Sequence, residues 1–196
     1  MLKNSLFIKL FAVAAIFLGS YQAADAQNRA VLAEAQRVTG DRFNYTGRTP
    51  RGAQVYAVNR PSRAMLNAID SGLGNLFTAA RRNGYRNRLN YSDYTIFIAR
   101  ADRTQNASGQ YSPDIAVGAA QYAGTDYDQG GYIYAAGMVV GFGTPAFVIA
   151  EHSRDFGRVS DVVRYEGEHL VLYHNDRRRY SQTADHSRGG GHPILR

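Results

Sequence analysis

Cysteine is absent from the 196-residue chain. Disulfide scaffolds, Cys-ligated zinc fingers, iron–sulfur clusters, thiol catalysis and a lipidated Cys anchor are therefore excluded. Tryptophan is absent too, whereas tyrosine occurs 14 times. Lysine is confined to Lys3 and Lys9, so every later cation is arginine. Arginine grips phosphate in bidentate fashion, but its exclusive use here reads as base-composition bias, and nucleic acid is not the expected partner. Nucleotide loops are missing: Gly141-Phe142-Gly143 lacks the further Gly or Lys that such a loop needs. No G-x-S-x-G nucleophile elbow occurs. Long apolar runs are lacking as well. The run over residues 6–18 falls short of the ~20 residues that span a bilayer.

That short run has the length of a signal-peptide core, and Lys3 precedes it. Ala24-Asp25-Ala26 follows as a small-residue cleavage site. The sequence therefore predicts a leader over residues 1–26, a mature chain starting at Gln27, and no membrane anchor after processing. The expected location is periplasmic or extracellular. A hydrophobic fraction of 44% with 20% charged residues suits a folded domain with a real core. Its length suits one domain over residues 27–196. The formal charge is +7.

Helical spacing of apolar residues predicts helices over residues 30–38, 61–83 and 159–175. In the second, Met65, Ile69, Leu73, Leu76 and Phe77 share one face, with Gly72 and Gly74 as local weak points. Extended, β-branched or aromatic stretches predict strands over 54–58, 94–99, 115–122, 132–142 and 147–150. Asp126 and Asp128 before Gly130-Gly131 read as a polar hairpin turn rather than a calcium loop. The order of helix, successive strands and helix predicts an α+β domain with a mainly antiparallel sheet. Its two long helices should pack on one sheet built from the stretches at 94–99, 115–122 and 132–142. A Gly/Arg-rich tail follows from Arg177.

All five histidines, His152, His169, His174, His186 and His192, lie in the last quarter of the chain. Imidazole is the commonest metal ligand, so the clustering poses a chemical question. Acidic neighbours (Glu151-His152, Glu168-His169, Asp185-His186) are candidates to orient the rings. On the last long helix stands Tyr165-Glu166-Gly167-Glu168-His169. These residues resemble the His-Glu-x-x-His helix of the zincin metallopeptidases, with Tyr165 in place of the first His. The order of backing helix, sheet and active-site helix is similar in outline. The resemblance implies zinc as cofactor, peptide or protein as substrate, Glu166 as general base and His169 as a metal ligand. Tyr165 departs from the pattern: a phenol with a pKa of about 10 ligates zinc less readily than imidazole. It is left as a weak ligand or a hydrogen-bond donor to the tetrahedral intermediate.

Further ligands have to come from the tail, where His186 and His192 are the candidates. The stretch from Asp176 to His186 reaches about 33 Å when extended. The helical rise from His169 to Asp176 is about 10 Å, so the tail can return to the motif. His174 lies about 140° round the helix from His169 and belongs to the helix end rather than to a shared ligand face. Two other readings stay open: a domain of this kind that has lost catalysis, and an unrelated exported protein binding envelope or acidic partners through its Tyr- and Arg-rich surface.

Overall fold

The structure, a computed structural model, describes residues 28–102, 108–109, 111–118, 130–186 and 189–195. The leader over 1–26, the start at Gln27, Asp126 and Asp128, and the far end of the 115–122 stretch lie outside the described residues.

Helix α1 covers residues 28–39 and stops at Gly40, whose φ of 69° suits glycine. A hairpin follows, β1 (Tyr45–Arg48) and β2 (Gln54–Ala57). Helix α2 (Arg63–Arg82) starts where the Ser62 side chain accepts from the Met65 amide. Its buried face is the expected one, Met65, Ile69, Leu73, Leu76 and Phe77. The remaining elements are β3 (Thr95–Ala99), β4 (Ile115–Gly118), β5 (Tyr132–Ala135), β6 (Gly137–Gly141), β7 (Ala146–Ala150), α3 (Phe156–Asn175) and α4 (Arg177–Thr183).

The fold is α+β. A five-stranded sheet has the order β1-β2-β3-β7-β6, and β4 with β5 forms a separate two-stranded sheet. The outer pairings β1–β2 and β6–β7 are antiparallel, as is β4–β5. The inner pairings β2–β3 and β3–β7 are parallel, so the main sheet is mixed. Helix α2 is the crossover between β2 and β3, a βαβ unit whose parallel pairing follows from the connection. Every residue of β3 and β7 is buried, as expected of a parallel pair covered on both faces.

Two cores result. Val55, Ile96, Ile98, Phe147 and Ile149 point to one face and pack on α2 and α3. Phe97, Ala99, Val148 and Ala150 point to the other, where they meet Ala35 of α1 and Ile115 and Val117 of β4. The stretch at 115–118 thus belongs to a cover over the second face and not to the sheet beneath the long helices. Residues 132–142, expected as one strand, break at Ala136: β5 pairs with β4, and β6 moves to the edge of the main sheet.

Helices α2 and α3 cross closely at two glycines. A Cβ at Gly72 would lie 2.5 Å from the Ser160 carbonyl oxygen and 2.8 Å from Val163 Cβ. One at Gly167 would overlap Leu76. The intrinsic helix penalty of Gly72 is about 1 kcal/mol, and the close crossing is what the glycine permits. Replacing Gly72 with Ala is expected to destabilise the fold by about 1–3 kcal/mol, because neither opposing atom can rotate away. Denaturant unfolding measures this; an unchanged or raised midpoint would show that the helices can part at no cost.

The described residues after α3 fold into a helix and a turn where the sequence suggested a tail. Asp176 terminates α3 with its amide bonded to the Leu172 carbonyl, and its carboxylate accepts from the Arg179 amide to cap α4. Beyond α4 the amides of Gly190 and Gly191 donate to the carbonyls of Asp185 and Thr183. A Cβ at Gly190 would collide with the Thr183 and Asp185 carbonyls, so this turn needs a bare backbone there. Ile194 then drops into the main core at 4% exposure.

Candidate metal centre

Helix α3 presents Tyr165, Glu166 and His169 at spacings of three and four residues, which places them on one side of the helix. The folded-back segment brings His186 and His192 to the same place. One ligand nitrogen from each of His169, His186 and His192 lies within 4.8 Å of the other two. Ring centroids are 5.1 Å apart for His169 and His186, 5.0 Å for His169 and His192, and 4.8 Å for His186 and His192. Tyr165, 37% exposed, packs its ring 4.6 Å from His192, and the Arg164 guanidinium stands 5.3 Å over the outer ring.

The electrostatics favour neutral imidazole at His169 and His186. Burial, with repulsion from His192 and His186, pushes His169 down to about 4. His186 is lowered by the same causes, burial first and then His192. Neutral imidazole is the form that binds metal. Glu166 is half-buried beside β6, where a Cβ at Gly137 would come within 2.6 Å of Glu166 Cγ and 2.7 Å of Val162 Cγ1. Burial pushes its carboxyl up to about 7, opposed by the charge on His192. Glu166 lies three residues before His169 on the same helix, which puts the two on one side of it.

Glu168 contacts a ring other than that of its sequence neighbour. It neighbours His169 in sequence, yet its carboxylate, 0% exposed, contacts the tail instead. His192 Nδ1 is 2.9 Å from Oε2, and the Ile194 amide donates to Oε1 at 2.9 Å. The remaining histidines stand apart. His174 sits in the last turn of α3 with Nε2 2.7 Å from the Phe142 carbonyl oxygen. His152 is half-buried and lowered chiefly by that burial, while Glu151 accepts from Asn59.

Three imidazoles from a long helix and a short return segment form a donor set that could hold a borderline-soft divalent ion. Gly137, which lets the edge strand pass over Glu166, carries no motif and was invisible in the sequence. Among the described residues, no helix is long and apolar enough to cross a membrane. No protein-family model, curated protein or solved structure matches the chain.

Proposed function

We propose that the protein is an exported zinc-dependent peptidase, similar in its helix motif to the zincins, in which the two tail histidines replace the ligand lost at Tyr165. The convergence of His169, His186 and His192, with Glu166 one helical turn before His169, carries this reading. Three imidazole nitrogen donors suit zinc with an open fourth position. When bound there, zinc would supply Lewis acidity and a water that is acidic near neutral pH.

The chain's own residues do the rest. Glu166 takes the proton from the attacking water as the water oxygen forms its bond to the peptide carbonyl carbon. The same carboxyl then gives that proton to the amide nitrogen as the C–N bond breaks, so the products are a carboxylic acid and an amine, which pass the remaining proton between them to become carboxylate and ammonium. Tyr165 packs its tilted ring against His192, and its phenol O–H would donate to the developing oxyanion. Its role as a primary metal ligand is not needed once three histidines converge.

Metal analysis of the purified protein, paired with hydrolysis of a peptide mixture, tests the reading. One zinc per chain and zinc-dependent cleavage, lost on chelation and restored by zinc, are the expected results. Protein with neither zinc nor cleavage would overturn it. Zinc without cleavage would point instead to a domain that keeps the metal as a fold element and binds a partner.

A further inference from the structure

We propose that Glu168 is the positioning residue of this site, fixing the tautomer of His192 and tying that ligand to the docking of the tail. The inference rests on the three histidines as a metal site, and not on peptide hydrolysis.

Glu168 is followed directly by His169, but one step is about 100° round a helix, so the two side chains diverge. Glu168 points into the protein and has no contact with water. A buried carboxylate has to find donors for its oxygens. Oε1 has the Ile194 amide, a donor under all conditions. Among the described residues Oε2 has His192 Nδ1 as its partner, so this oxygen is satisfied as an acceptor when Nδ1 carries the hydrogen. Neutral His192 then keeps its lone pair on Nε2, which becomes the nitrogen it offers to the cluster. A carboxylate on one ring nitrogen and a metal on the other would be the arrangement that orients metal-bound histidines and raises their basicity.

The second oxygen adds something that a simple orienting carboxylate lacks. Ile194 is buried in the main core, and Pro193 between it and His192 has a fixed φ. Glu168 therefore holds the ligand ring and the backbone that carries it with a single side chain. Metal affinity and docking of the 189–195 segment share that residue.

Glu168→Gln separates this role from a merely structural one. The Gln carbonyl oxygen can still accept from Ile194, so the fold is kept. Its NH₂ then faces His192 Nδ1 and donates to it, which drives the hydrogen to Nε2 and removes the lone pair from the metal side. Zinc affinity, measured by competition with a chromophoric chelator, is expected to fall about 10–100-fold. Nitrogen-15 shifts of the metal-free proteins are expected to show the Nδ1–H tautomer of His192 in the wild type and Nε2–H in the variant.

Equal zinc affinity in the two proteins would overturn the proposal. So would an Nε2–H tautomer in the metal-free wild type, a result that needs no variant to fold. A wild type that binds zinc but cleaves no peptide would remove the peptidase reading and leave this one standing. A variant that matches the wild type in zinc affinity while the wild type cleaves peptides would do the reverse.

Discussion

Glu166→Gln is expected to retain one zinc per chain and lose peptide cleavage by about 10²–10⁴-fold, the range of general acid–base catalysis. Gln has the shape of Glu, so it fills the same space against Gly137 and Val162. It cannot take a proton from water, and it cannot return one to a leaving amine. The burial that pushes the Glu166 carboxyl up to about 7 penalises the charged form, and a neutral amide meets no such penalty. The variant should therefore be no less stable than the wild type. Cleavage rate, zinc content and thermal midpoint, measured together, separate the possibilities. Cleavage near the wild-type rate would remove Glu166 as the base.

His169→Ala is expected to strip the protein of stoichiometric zinc. The residue is the one member of the cluster fixed on a long helix; the other two arrive on the return segment. Losing it leaves two ligands, and the affinity should fall by more than the about 10–100-fold seen when only a supporting hydrogen bond is lost. Ala is the best helix former, and the position lies outside the apolar core. The metal-free fold should accordingly survive, which circular dichroism checks. Zinc content equal to the wild type would mean that the three rings meet for another reason.

The long helices were legible because Met65, Ile69, Leu73 and Leu76 repeat at helical spacing and face one core. The α+β class followed from element order. Strand β1 was not legible: its residues alternate between half-buried and exposed, leaving no apolar signal. Helix α4 escaped for the same reason, since Arg177–Thr183 buries no residue and owes its start to the Asp176 cap. The break at Ala136 depends on which sheet each half joins, and that is decided by distant partners.

At the site, histidine clustering and tail length brought His186 and His192 into consideration. The partner of Glu168 lay beyond sequence, because neighbours along a helix point in different directions. The run Gly189-Gly190-Gly191 looked equally like slack. At Gly190 it is a place where carbonyls of the preceding turn come too near for any side chain.

Asp176, which closes one helix and opens the next, has a mechanical meaning. A slack connection would also let the histidines meet, and halving such slack is worth only about 0.6 kcal/mol. Economy of chain closure therefore does not account for a helix standing between two sets of ligands. Leverage does. Helix α4 is an arm about 10 Å long, pivoted on one residue. A tilt of about 10° at the pivot swings its far end by about 2 Å, as much as an entire zinc–nitrogen bond of about 2.0–2.1 Å. The corner at Asp176, held by the Leu172 carbonyl behind it, the Arg179 amide ahead and the Tyr85 hydroxyl beside it, has to be as stiff as the proposed coordination sphere would be exacting, though it touches none of the three rings.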